Sequence, residues 1–443
     1  MGENVKTYHD EYISNMNNWE FLKNAYFGTG GFSDGGYIEK YEKESQQKYL
    51  NRKKYAYYLN YCATVVDTYN AHLFKKPIIR KSENPYYNRF VGNVNGRRKE
   101  LDVFMKEAFI YAQIFGYCFI VIDKPEAEVA TRLEEFSENA LPYAYILPPH
   151  SVIDWSTDAA GALSWVKVSE EVSADPDNFL NPDDRALHYR VWTKDGYYLF
   201  NEKEELIKQG EHGLGAVPFV LLQNKKGPLG SIVGRSEIQD VARVNKRLYN
   251  LCSELDDLLR SQTFATLTYP ALDAKDLSDV ELGTDRILTF DPSSSFAPDF
   301  IAPSIDATRA YETRINALVE EIFRLARLNY RGGVTASGVS MAFDFEKTNQ
   351  ALCDKALNLQ EAERNIADIV CRWQESEFDG EVEYTLDFSI TDMEKELKLA
   401  FDTINLNLSE RFNEEFRKTT ARKLLPKLPE PTKAIIDGEI QSS

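Results

Sequence analysis

The 443-residue chain is poor in the residues that build metal, redox and cofactor chemistry. Its five cysteines, Cys62, Cys118, Cys252, Cys353 and Cys371, are scattered and never form a CxxC pair, which excludes a disulfide framework and a zinc site of the usual spacing. They read as small apolar core residues in a reducing compartment. The five histidines form no HExxH or HxH pattern. His150 has Asp154 four residues on, but the pair sits in LPPHSVIDW and reads as a histidine near a turn. There is no GxxxxGK[ST], so no P-loop, and no GxSxG, since Ser337 and Ser340 in TASGVSM have the wrong glycine spacing for a nucleophile elbow. The glycine-rich GTGGFSDGG (28–36) follows a helical segment where a dinucleotide fingerprint would follow a strand; it reads as a flexible loop between elements. No cofactor is expected. No apolar run approaches the ~18 residues of a membrane helix, and MGENVKTYHDEY has no apolar signal core, so the expectation is a protein of the cytoplasm or of an assembly made there. Positive charge is also scarce: 52 Lys and Arg face 70 Asp and Glu, a net charge of −18. That argues against a protein that grips DNA by neutralising phosphates over its whole surface.

What is present is an ordered composition, 43% hydrophobic and 12% aromatic, with length for about two or three domains. The periodicity predicts a helix carrying Trp19, Phe21, Leu22 and Tyr26, then one from about 42 to 74 and one from about 87 to 115, broken at Gly116. YCFIVID (117–123) has strand composition. Residues 142–223 alternate short β-like runs (YAYIL, WVKVS, LHYRVW, YYLF, PFVLLQ) with the turn signals DAAG, PDD and KDG, a β-rich region with a hairpin at Asp195-Gly196.

From Arg235 to about Gln262 the apolar residues Ile238, Val241, Val244, Leu248, Leu251, Leu255 and Leu258 repeat at three and four. A second such helix begins after Pro303, with Ser304 as its N-cap, and carries Tyr311, Ile315, Leu318, Ile322, Leu325 and Leu328. Each is roughly 40 Å long at 1.5 Å per residue. Strand-like TFATLTYPAL and RILTF lie between them, so the pair reads as a stalk with a small β insert at its far end. Val244, Leu248, Leu251 and Leu255 of the first helix would pack on Ile315, Leu318 and Ile322 of the second. Charged residues around the rest of the stalk leave a surface that wants neighbours, most economically further copies in a ring. After the loop YRGGVTASGV a long helix is expected from about 340 to 373, then a strand over 382–390, two short charged helices near 393–406 and 409–425, and a mobile tail from Pro426. The acid pairs Asp256/Asp257 and Glu320/Glu321 lie on the stalk helices and read as solvated faces.

Five segments together resemble the portal proteins of tailed bacteriophages, the head-to-tail connectors. NYCATVVDTYNAHLFKKP (60–77) is similar to the helix opening the family's wing, and GYCFIVIDKP (116–125) to its first buried strand. PYAYILPPHSVIDW (142–155) resembles the wing strand and bend, and HGLGAVPFVLLQN (212–224) the strand entering the stem. TASGVSM (335–341) resembles the tunnel loop and the helix behind it. None is an invariant catalytic signature, but they run in the family's order.

The resemblance implies an α+β portal fold, mostly long helices with a β-containing wing and a small α/β clip, assembled as a dodecameric ring. By position it implies N-terminal helices and wing in 1–234, stem helices in 235–262 and 304–330, clip in 263–303, tunnel loop in 331–339, long wing helix and strand in 340–391, and a small crown and tail in 392–443. Arg331, Gly332, Gly333, Val334, Thr335, Ala336, Ser337 and Gly338 would face DNA. Tyr269, Asp273, Asp276, Asp279, Glu281 and Asp285 of the clip would meet terminase and later the adaptor. The implied role is non-enzymatic: a ring at one capsid vertex through which the genome is packaged and ejected. Its implied partners are the terminase large subunit, a head-completion adaptor, the major capsid or scaffolding protein, and double-stranded DNA passing non-specifically, in a virion assembled in the host cytoplasm. An acidic wall suits such a channel, because the polymer must slide without sticking. An enzyme with a site between the β-rich region and the helices, and a monomeric helical adaptor or scaffold, are the alternatives.

Overall fold

Several helices begin where the chain supplies a side-chain cap, at His9, Ser45, Asn60, Asn84 and Thr131. The His9 imidazole accepts from the Glu11 N–H (3.2 Å), and α1 (Asp10–Phe27) runs until Gly28, in the left-handed region at φ 66°, closes on the Asn24 carbonyl. The computed structural model describes residues 5–126, 131–138, 140–173, 185–263, 266–268, 299–301, 305–328, 338–388, 409–424 and 430–441. The chain divides into two units, Met1–Asp387 and Phe388–Ser443.

Two expected long helices are each split, and polar side chains explain both breaks. The first is α2 (Gln46–Tyr55) and α3 (Tyr61–Leu73), capped by Ser45 and Asn60. Between them Ala56 is extended, and Tyr58 leaves the helical path to donate to the Ala25 carbonyl (2.9 Å). After β1 (Ile79–Lys81), the second is α4 (Pro85–Gly92), with Asn84 capping the Tyr86 and Tyr87 N–H groups, and α5 (Leu101–Phe115). Asn93 and Asn95 accept from the Arg98 and Arg97 N–H groups (2.6 and 2.9 Å) and hold the turn between them.

Gly116 (φ 96°) ends α5, and a Cβ there would lie 2.1 Å from the Gly234 carbonyl oxygen, so only glycine permits this backbone crossing. β2 (Tyr117–Asp123) follows at once, with Tyr117 to Ile122 all buried. Successive strand residues face opposite sides, so both faces of β2 are covered; α5 and the long helix of residues 338–372 pack on it. It is the centre of an antiparallel sheet between β3 (Tyr143–Leu147), reached past α6 (Arg132–Ser137), and β9 (Phe219–Gln223). A second sheet is a five-stranded antiparallel meander of β4 (Val152–Thr157), β5 (Leu163–Ser173), β6 (Arg185–Thr193), β7 (Gly196–Phe200) and β8 (Leu206–Glu211). The KDG signal closes the β6–β7 hairpin, where the Thr193 hydroxyl accepts from the Gly196 N–H (3.1 Å). The PDD signal at 182–184 lies outside the described residues.

Next come α7 (Gln239–Thr263), a short ladder of β10 (Thr266–Thr268) with β11 (Asp299–Ile301), α8 (Ile305–Leu325) and α9 (Gly338–Arg372). α7 begins four residues later than its periodicity suggests. The preceding turn is tied to the end of α5, where the Ser236 hydroxyl donates to the Ile114 carbonyl (2.6 Å) and the Glu237 N–H to that of Gln113 (2.8 Å). Of the strand expected over 382–390, the described residues up to 388 form β12 (Glu381–Glu383), paired along the three residues of β1, while 389–390 lie outside the described residues.

GTGGFSDGG is docked where a flexible loop was expected. Phe32 is 2% exposed, stacks on Tyr58 with centroids 4.0 Å apart, and its carbonyl accepts from Tyr249 of α7. Four cysteines are buried as expected, whereas Cys353 is partly exposed. In the second unit, α10 (Glu410–Leu424) and α11 (Glu430–Gln441) pack together, with Arg422 paired to Asp437. The expected mobile tail thus contains a helix, because Pro431 stands in its first turn, where a missing N–H costs nothing. The helix expected near 393–406 lies outside the described residues.

Candidate functional site

The feature with functional geometry is the α7–α8 pair and its anchorage. The end of α7 meets the start of α8: Gln262 and Thr308 exchange side-chain hydrogen bonds (2.9 and 3.2 Å), and Tyr311 donates to Glu254 (3.0 Å). The helices therefore run antiparallel. Leu248, Leu251, Leu318 and Ile322 are buried, whereas Val244, Leu255 and Ile315 keep partial exposure. The apolar seam is closed at Leu248, Leu251, Leu318 and Ile322 and only half covered at Val244, Leu255 and Ile315.

Polar residues fix how α7 sits on that body, and periodicity alone misses them. Asn245, fully buried, accepts from the Tyr58 hydroxyl and the Tyr61 N–H (3.1 Å each) and donates to the Leu59 carbonyl (2.9 Å). One asparagine thus satisfies the break between α2 and α3. Asn250 accepts from the Glu39 N–H (2.8 Å) and donates to the Tyr37 carbonyl (3.0 Å). At the inner end of α8, Tyr69 donates to the Ala326 carbonyl (2.7 Å).

α9 is locked to the same body by buried charge. Lys355, 0% exposed, lies 2.5 Å from Glu237 Oε2 and donates also to Asn224 Oδ1; Lys225 reaches the same carboxylate at 3.0 Å. Burial would raise the Glu237 carboxyl, but the two ammonium groups outweigh it and hold the group at about 2. Burial draws Lys355 down to about 8, with Glu237 opposing. A second buried carboxylate, Glu363, accepts from Tyr384 (2.7 Å), Tyr87 (3.2 Å) and Arg80 (3.0 Å), joining α9 to β1, α4 and the chain after β12. The signal for both was readable as a charge on an apolar helix face, since Lys355 stands among Leu352, Ala356 and Leu359.

Glu237 sets an acid limb for the stability of this unit. Its folded value lies below the ordinary 4.5, so its contribution is complete above about pH 4.5 and is lost as pH falls towards 2. Thermal melts should therefore hold down to about pH 5 and fall steeply below it. In Glu237→Gln that part of the slope should flatten.

Among the described residues no catalytic constellation emerges. His150 lies in a turn between Trp19 and Phe115, while Asp154 binds Lys167 (3.2 Å) and Thr7 (2.8 Å). Asp257 pairs with Lys48 and Glu321 with Arg324, as expected of surface acids. Among the described residues no His, Cys, Asp and Glu group is disposed to hold a metal, and no helix is long and apolar enough to cross a membrane. Residues 331–337 of the expected tunnel loop and Tyr269, Asp273, Asp276, Asp279, Glu281 and Asp285 of the expected clip lie outside the described residues; Gly338 opens α9.

No family profile and no curated protein matches the chain. Among solved structures, it is similar to a chain from the neck of an empty gene transfer agent (GTA) particle with C6 symmetry, at a TM-score of 0.44 and 12% identity over 83% of this chain and 90% of that one. A chain of the native GTA virion gives 0.43 and 11% over 94% and 98%, and one from the native neck with C12 symmetry 0.42 and 13% over 83% and 89%. At these scores the likenesses carry no functional argument.

Proposed function

We propose that the chain is one subunit of a portal ring, a non-enzymatic structural component at a single capsid vertex of a phage-like particle, through which double-stranded DNA is packaged and released. The observation that carries this reading is the antiparallel α7–α8 pair, clamped to the body at one end, bearing the β10–β11 ladder at the other, and followed by a long helix that returns to the core. That order is the one the resembling segments imply for stem, clip, tunnel loop and wing helix.

The half-covered seam supports a ring. Val244, Leu255 and Ile315 remain partly exposed, and α8 presents Arg309, Glu312, Arg314 and Glu320 to solvent, so the pair has lateral surface for neighbours. In this reading 331–338 lines the bore and 263–303 meets terminase and then the adaptor. Negative-stain electron microscopy and solution mass of the purified full chain test it. A ring with a central hole is the expected result; a folded monomer at assembly concentrations would remove the proposal.

A further inference from the structure

Helix α2 is hard to account for within one chain. It has ten residues, a length that is marginal for an isolated helix, and buries only Arg52. Leu50, Tyr55 and Tyr57, on it and just beyond it, are each about half exposed (47, 47 and 52%). It is also basic in an acidic protein: residues 40–54 hold six Lys or Arg against two Glu. Arg52 is satisfied by Glu44 (2.9 Å) and Lys48 by Asp257 (2.8 Å). Among the described residues, no carboxylate is paired with Lys53 or Lys54; their ammonium groups lie over the Tyr49 and Tyr55 rings at 5.8 and 5.4 Å.

The opposite character appears on α9. α9 itself (338–372) holds six Asp or Glu against four Lys or Arg, and three of those acids, Asp354, Glu361 and Asp368, share one exposed face with the single cation Arg372. Asp354, Leu357, Glu361, Asn365, Asp368 and Arg372 follow the three- and four-residue spacing of one helix face, and all are exposed. That face borders a groove of about 410 Å³ with Val217, Val220, Leu221 and Ile232 among its apolar lining; Glu361 and Asp368 line it on the α9 side, together with the cations Arg372 and Lys226. Among the described residues neither acid is paired with a cation. The two surfaces are separated by packed layers: α2 lies on α7, α7 on α3, and α3 on α9.

We infer that α2 of one copy docks on the α9 face and its groove in the next copy, with Lys53 and Lys54 meeting Glu361 and Asp368 and the apolar residues of α2 covering Leu357 and the groove. This rests on the ring reading and names its lateral contact. Two different, complementary patches on separate flanks of one chain are what a head-to-tail ring requires. The pairing also answers an electrostatic difficulty, since subunits of net charge −18 repel unless their facing surfaces carry opposite sign.

Charge reversal tests it on the full chain. Lys53→Glu with Lys54→Glu, and separately Glu361→Lys with Asp368→Lys, should each raise the concentration for half-assembly at least tenfold by light scattering, with the wild-type circular dichroism melt retained. The four changes combined in one chain should restore rings. Wild-type assembly by both double variants, or no rescue in the combined chain, overturns the inference while leaving the ring reading standing. Normal rings with weakened DNA binding in the α2 variant would make this helix a nucleic-acid surface and also overturn it. A wild-type chain that folds but stays monomeric defeats the ring reading itself.

Discussion

Glu237→Gln is expected to lower the stability of the Met1–Asp387 unit by about 3–5 kcal/mol, the cost of leaving a buried charge without its partner. Lys355 is fully enclosed and sits on the helix that spans this unit, so its ammonium has no route to water when the carboxylate is neutralised. Lys225 at 3.0 Å would no longer be attracted to that position, and Lys355 would be left with only neutral oxygens, those of Asn224 and of the new amide. Adding Lys355→Met should recover a large part of the loss, because the desolvation cost disappears with the second charge. Urea unfolding with linear extrapolation measures both. A loss under about 1 kcal/mol in the single variant would contradict the assignment of Glu237 as the counter-ion that keeps α9 in place.

Leu318→Asp should cost a similar amount, about 3–5 kcal/mol, by placing an unpaired carboxylate in the seam where α8 meets α7. Leu251→Asp should match it from the facing helix, since both leucines are nearly buried, at 6 and 5% exposure. Glu320→Ala, on the exposed side of α8, should change stability by no more than about 0.5 kcal/mol. Chemical unfolding should therefore separate the seam from the outer face. Electron microscopy of the two Asp variants should find no rings. Equal effects at 318 and 320 would contradict the seam.

Strong local periodicity was the most legible part of the fold. β2 occupies Tyr117–Asp123, the stretch read from composition, and α9 spans Gly338–Arg372 against an expected 340–373. The splits within 42–74 and 87–115 were misread because apolar spacing can continue in phase across a short break. What breaks those helices is the pull of Tyr58 towards Ala25, the fresh start that Asn60 gives α3, and the turn held by Asn93 and Asn95. The docked GTGGFSDGG segment was misread for a related reason. Its glycines suggest freedom, but Phe32 finds Tyr58 and Tyr249 only once distant helices are assembled.

Of the candidate site, Val244, Leu248, Leu251, Leu255, Ile315, Leu318 and Ile322 were readable as apolar stripes; Asn245, Asn250 and Lys355 were visible only as polar residues on apolar faces, and their partners, Glu237 among them, were not readable. A polar residue on an apolar stripe announces that it needs a partner without saying which. The partners of Lys355 lie 131 and 118 positions away, and only the path of the chain brings them together.

The sequence by itself determined that this is an acidic α+β chain without P-loop, zinc-finger or nucleophile-elbow motifs and with a pair of long amphipathic helices around a short insert. Those properties follow from residue type and local spacing. Only the tertiary structure decided which stretches of the seam are closed, that buried ion pairs hold α9 and buried asparagines hold α7 to the body, and that a basic helix and a groove edged by the acids of α9 stand on different elements. Such features are sums over residues far apart in the chain. Their energies come from burial and charge proximity, and neither exists until the chain has folded.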